Sequence, residues 1–441
     1  MSFPRGFIWG VSTSAYQIEG AAAVDGRAPS IWDVFCRQPG RIANGDTGDV
    51  ACDHYHRYRE DVALMNRLGV QAYRFSVSWS RVLPSGTEAP NEAGLAFYDR
   101  LVDAVLQAGI EPWLCLYHWD LPQALQERGG WTNRDVAGWF ADYAQLIAAR
   151  LGDRVKRFAT FNEPCVFTLF GYAFGLHPPA SHDPAALHAA IHHINLAHGA
   201  AVDALRARRP AAEIGGVHTI QPCRPSSPAP QDEAAAETID LFWNHAFPDP
   251  QMLGVYPERL RTLVEPYFRD GDLERIRRKV DWLGVNHYSP IYAKGVWGAA
   301  LGFGFGESPP EMPRTPIGWP IDPGAFRDTL LMANERYELP IYVTENGLGA
   351  LEKPDDVGRI PDAVRIDYLG KYVEAMREAV DRGADVRGYF AWSLLDNFEW
   401  QAGYAQRFGL VYVDYATQRR IPKASADWYA GFIRSERSKV P

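Results

Sequence analysis

The chain has 441 residues, of which 46% are hydrophobic and 22% charged, so it can bury a large core and has the balance of an ordinary globular protein. A net charge of -9 with no basic stripe excludes a nucleic-acid face, and no apolar run reaches membrane-spanning length. Cys36, Cys52, Cys115, Cys165 and Cys223 form an odd set without Cys-x-x-Cys, which indicates neither a disulfide framework nor a zinc ribbon. No basic segment followed by a long apolar one opens the chain, so a reducing, cytoplasmic location is expected.

In chain order, Phe7–Ser12 reads as a first strand with Gln17 just past its end, and residues 21 to 52 read as a loop. The helical spacing of Tyr58, Val62, Met65 and Leu68 predicts a helix from His54, stopped by Gly69. Strand two, Ala72–Val77, carries Arg74, and a helix over Asn91–Ala108 follows. Strand three, Pro112–Tyr117, is tipped by His118, Trp119 and Asp120. A helix over Arg134–Leu151 leads to strand four, Arg157–Glu163, where Pro164 is expected to keep Glu163 extended. After a helix over Pro184–Arg208 come strand five, Glu213–His218, a loop over Pro222–Pro230 and a helix around Asp232–Ala246. Strand six, Asp281–Val285, is tipped by Asn286, His287 and Tyr288, and a long excursion from Ser289 to Pro323 carries Trp297 and Trp319. Helix Ala325–Glu338 leads to strand seven, Ile341–Glu345, and helix Ala363–Arg382 to strand eight, Val386–Trp392, with a last helix from about Ser425. Eight such β and α units predict one (β/α)8 TIM barrel spanning residues 1–441, with long βα loops forming its mouth.

Two of these strands end in a glutamate, in Thr-Phe-Asn-Glu163-Pro and Val-Thr-Glu345-Asn-Gly. A strand-end glutamate taken alone reads equally well as half of a structural ion pair; two on the same barrel face do not, because buried carboxylates are costly. Gln17, Arg74, His118, Trp119, Asn162, Glu163, Asn286, Tyr288, Glu345 and Trp392 all fall at or just past strand ends, so they converge on one mouth. Arg74 and the Tyr288 hydroxyl are candidates to keep Glu345 ionised, while Glu163, set among Phe161, Trp119 and other aromatics, is a candidate to stay protonated. Two such carboxyls suit glycosidic cleavage.

The two glutamate motifs resemble the acid/base and nucleophile motifs of the family 1 glycoside hydrolases, the β-glucosidase family. Four further stretches resemble its signatures: Trp9–Gly20, Leu116–Pro122, Leu283–Tyr288 and Trp392–Trp400. The resemblance implies a retaining β-glycosidase with Glu345 as nucleophile and Glu163 as acid/base, acting without cofactor or metal on a small β-glycoside. It implies that Gln17, His118, Asn162, Glu399 and Trp400 hold sugar hydroxyls, that Trp392 lies beneath the ring, and that Trp319 lines the leaving-group side. Trp119, Asn286, Tyr288 and Phe408 join the substrate-binding set. Glu163 stands where thioglucoside-cleaving members have Gln, and Glu399-Trp400 stands where 6-phospho-sugar enzymes have smaller or basic residues, so an unphosphorylated O-glycoside is expected.

Other readings stay open at this point. Gln17, Asn286 and His118 taken singly read as loop caps, and Trp392 and Trp400 as core. His188 and His192, four apart, have metal-ligand spacing, but an amphipathic or solvated helix face is the simpler reading; Gly302–Gly306 reads as loop. A transglycosylating enzyme and a catalytically silent carbohydrate-binding barrel are the rival functions. Gluco, galacto or fuco preference and oligomeric state, homo-oligomers included, are open.

Overall fold

The computed structural model describes residues 3–299 and 301–439. Its organising element is a closed barrel of eight parallel strands in sequence order: Ile8–Ser12, Ala72–Ser76, Glu111–Tyr117, Arg157–Asn162, Glu213–Thr219, Trp282–Asn286, Ile341–Asn346 and Val386–Trp392. Ser12 closes it, pairing with Arg74 on one side and Trp392 on the other. Strand seven, IYVTEN, is buried at every position, as a β-branched and aromatic strand covered on both faces should be.

The barrel is filled with rings. Trp113 packs edge-on against Trp282 at 5.3 Å and Tyr342 at 4.7 Å, and lies 5.0 Å from Phe390. Glycine makes room for them: a Cβ on Gly10 would lie 2.4 Å from the Phe390 ring. At the lower end the Arg157 guanidinium covers Trp113 at 4.7 Å and pairs with Glu111 and Glu213. This packed floor fills the barrel's interior beneath the C-terminal strand ends.

Helices His54–Leu68, Pro184–Arg208 and Ala363–Asp381 match their periodicity within a residue. The expected loop over residues 21–52 instead contains helix Ile31–Cys36, closed by a capping box in which Ser30 and Asp33 exchange hydrogen bonds. Gly302–Gly306 is also not plain loop: Phe303–Phe305 pairs with Ile291–Gly295, which pairs with Cys223–Pro225 inside the other expected loop. Backbone groups in so long an excursion need partners, and this small sheet provides them. Of the two expected readings of the histidine pair, the amphipathic face fits: His192 is buried, bonded to Asp272 at 2.9 Å and the Tyr256 hydroxyl at 3.2 Å, and His188 is half-buried beside Phe242. Among the described residues no His/Cys/Asp/Glu group is arranged to hold a metal, and no helix is long and apolar enough to cross a membrane.

Candidate active site

A bulge sets up the mouth. Strand seven pairs with strand six in regular register up to Val343 opposite Val285, then slips so that Glu345 is opposite Asn286. Two residues, Thr344 and Glu345, therefore face one, and a bulge of this kind re-aims side chains. Glu345 is 3% exposed. Arg74 donates to its Oε1 at 2.7 Å and the Tyr288 hydroxyl donates to its Oε2 at 2.7 Å.

Glu163 is not extended. It has φ 48° and ψ 59°, in the left-handed region, and it caps helix Pro164–Thr168 with Pro164 in the first turn. Proline disfavours the right-handed helical region for the residue before it, and the chain must turn at once from strand into helix; the left-handed conformation meets both demands. The carboxyl is 7% exposed and its Oε1 accepts from the Asn286 amide at 2.9 Å. Phe161 packs into the helix layer, stacked on Phe140 at 4.5 Å, and is not among the residues lining the cavity that Glu163 faces.

Amides tie the two acids together. Asn162 Oδ1 accepts from Arg74 at 2.6 Å and from Asn286 at 3.1 Å, which turns the Asn162 amino group toward His118 Nε2 at 3.1 Å. His118 Nε2 is then the acceptor and its proton sits on Nδ1. Burial and Arg74 hold the imidazole well below its usual range, hence neutral.

The acids differ in protonation. Burial first, then the charge of Glu345, pushes Glu163 up to about 8, against Asn286 and Arg74. Burial raises Glu345 as well, but Arg74 and Tyr288 oppose it by direct contact. The pair therefore holds one proton near neutrality, on Glu163. Such a pair can protonate one atom of a ligand while offering negative charge to another.

Both acids open into a cavity of about 710 Å³ whose lining includes His118, Trp119, Tyr288, Trp319, Trp392, Glu399, Trp400 and Phe408. Trp392 and Trp400 lie nearly parallel to the His118 ring at 5.8 and 6.1 Å. Trp319, Phe408 and Tyr288 form a second aromatic wall, 5.7 to 6.0 Å apart. Glu399 has one buried oxygen, Oε1, with no hydrogen-bond partner among the described residues. Arg74 and Asn286 stand behind the lining as its support, and Asn162 between them keeps one amino proton without a partner among the described residues. Gln17 is less free than expected: Ser14 donates to it, and its amino group donates to Asn397 and the Phe398 carbonyl. It thereby fixes the loop that carries Glu399. Sequence reading missed Phe170, Trp243 and Phe305, a third aromatic wall drawn from the helical segments Leu169–Ala173 and Leu241–His245 and the strand Phe303–Phe305.

The sequence matches the profile described as glycosyl hydrolase family 1 over residues 1–438. The chain belongs to that family. It is 42% identical over 438 residues to β-glucosidase A of Thermotoga maritima, with 98% of each chain covered. It is 44% identical over 461 residues to a bifunctional β-D-glucosidase/β-D-fucosidase of Bifidobacterium breve, again with 98% of each covered. Among solved structures it is similar to the Thermotoga maritima β-glucosidase in complex with glucoimidazole, with TM-score 0.93, 42% identity and 99% of both chains covered. A psychrophilic β-glucosidase from Micrococcus antarcticus gives TM-score 0.94 at 44% identity, covering 99% of this chain and 98% of that one. This glycosyl hydrolase family 1 chain thus has the eight-stranded TIM barrel that its strand pattern predicts.

Proposed function

We propose that the chain, acting as one catalytic domain, is a retaining β-glucosidase that removes terminal nonreducing β-D-glucosyl residues, with β-fucosyl residues as a second substrate class. Full-length similarity to β-glucosidases and to a bifunctional glucosidase/fucosidase supports the substrate. The asymmetry of the acids supports the mechanism: Glu345 rests against Arg74, while Glu163 is pushed up to about 8.

In the first step the Glu345 carboxylate attacks the anomeric carbon and the Glu163 carboxyl gives its proton to the departing oxygen. The leaving alcohol departs, and Glu163 is left ionised beside a glycosyl ester whose formation has removed the charge of Glu345. In the second step Glu163 takes a proton from water, the oxygen of that water attacks the anomeric carbon, and Glu345 leaves as carboxylate. Asn162 donates to the hydroxyl next to the anomeric carbon. His118, Gln17, Glu399 and Trp400 hold the other hydroxyls, Trp392 supports the ring face, and Trp319 and Phe408 border the leaving group. The Glu399 carboxyl repels a 6-phosphate. Free cysteines, four of the five buried, favour a cytoplasmic location.

Incubation with a 2-deoxy-2-fluoro-β-glucoside bearing a dinitrophenyl leaving group tests the assignment. One label per chain is expected, on the peptide containing Glu345. A label on another carboxylate, or steady turnover of ordinary aryl glucosides without any label, overturns it.

A further inference from the structure

One polar side chain at the site has no part in the steps above. Thr344 is fully buried, directly before Glu345, and the strand bulge turns it toward strand six. Its hydroxyl donates to Asn286 Oδ1 at 2.7 Å, the one donor to that oxygen among the described residues. An amide oxygen cannot donate, so this bond fixes which way the Asn286 amide points. Both amino protons are then spent, one on Glu163 Oε1 at 2.9 Å and one on Asn162 Oδ1 at 3.1 Å. The barrel wall is shaped around the contact: a Cβ on Gly284 would lie 3.0 Å from Thr344 Oγ1 and 3.2 Å from its Cγ2, and glycine there leaves the threonine its place.

We infer that Thr344 is a positioning residue which, through the Asn286 amide, holds a hydrogen-bond donor on Glu163 and so sets the proton affinity of the acid/base group. This rests on the proposed role of Glu163. A donor on a carboxyl favours its ionised form, so the Thr344–Asn286 bond restrains a group that burial and neighbouring charge drive upward. Arg74 from strand two, Glu345 from strand seven, Tyr288 after strand six, Glu399 after strand eight and Cys165 from the helix that Glu163 caps also act on it or feel its charge. None of them contacts Thr344 by a hydrogen bond. Without the hydroxyl, the buried Asn286 oxygen loses its donor and the amide turns to find another, taking its own donor away from Glu163.

The test is the pH dependence of kcat/KM for an aryl β-glucoside in Thr344→Val, Thr344→Ala and Thr344→Ser. In Val and Ala the basic limb is expected to move up by about one pH unit, the size one hydrogen bond to a charged group supports. In Ser, which keeps the hydroxyl, it stays at the wild-type position. Val matches threonine in shape and Ala only removes atoms, so one of the two gives a folded protein to measure. Unmoved basic limbs in both Val and Ala, or a Ser limb displaced as far as theirs, overturn the inference. Failure of the acid/base assignment itself is seen separately, as a basic limb that persists in Glu163→Gln.

Discussion

One guanidinium, that of Arg74, holds Glu345 at 2.7 Å with one nitrogen and the Asn162 amide oxygen at 2.6 Å with the other. Because it is fully buried, removing it leaves a carboxylate without its counter-charge, a loss of about 3–5 kcal/mol for a buried pair. Arg74→Met is therefore expected to lower kcat by about 10² or more, the Glu345 carboxyl rising toward protonation at neutral pH. Arg74→Lys recovers little, since one ammonium cannot span both partners. Steady-state kinetics of the two variants checks this, and a kcat within a few fold of wild type in Arg74→Met contradicts it.

The pH profile has a definite sign. Glu163 must be protonated to act as acid and titrates at about 8, so kcat/KM falls as pH rises through that region. In Glu163→Gln the basic limb disappears, and kcat/KM on substrates with poor leaving groups falls by about 10² to 10⁴. Dinitrophenyl glucosides, which need no proton, lose far less in the first step. Azide then restores turnover by replacing the water that lacks a base, and the product is the β-glycosyl azide. A variant equally slow on both leaving-group classes speaks against the assignment.

Much of this site was legible in the sequence because strand ends are. IYVTEN and RFATFN each announce a strand by their β-branched and aromatic runs, and a parallel barrel sends all such ends to one face. What the strand pattern cannot carry is backbone conformation at the junction, and there the expectation for Glu163 was wrong: proline disfavours one helical region without imposing extension. Phe161 was misassigned for a related reason, since strand alternation puts it on the opposite side from Asn162. The Phe170, Trp243 and Phe305 wall was invisible because its members lie on three short elements far apart in sequence, outside the barrel strands whose ends mark the mouth.

Asp120, next to Trp119, lowers stability as the pH rises. Burial pushes its carboxyl up to about 8 despite the Arg27 guanidinium, whereas the unfolded chain releases that proton near an ordinary carboxylate value of about 3.9. The folded state thus binds more protons between those values, and stability is lost as pH rises through that window. Asp120→Asn removes the dependence, so its melting temperature relative to wild type should climb between about pH 5 and about pH 8. A difference that stays flat with pH rules the account out.

Glu399 lines the cavity, and its buried Oε1 has no hydrogen-bond partner among the described residues. Burial and the neighbouring acids raise this carboxyl well above the ordinary range; under the proposed reading it hydrogen-bonds sugar hydroxyls, and losing those bonds costs about tenfold in kcat/KM. Glu399→Ala is expected to show that loss with β-glucosides and a smaller one with β-fucosides, which lack the 6-hydroxyl. Comparing kcat/KM for the two aryl glycosides checks it, and equal losses contradict the contact.

The most direct measurement is the stereochemical course. Proton NMR during the first minutes of hydrolysis of an aryl β-glucoside shows which anomer forms before mutarotation. β-Glucose appearing first is the predicted result, since two displacements, at Glu345 and then by water activated at Glu163, restore the starting configuration. α-Glucose appearing first would mean a single displacement by water and would contradict the roles assigned to both glutamates.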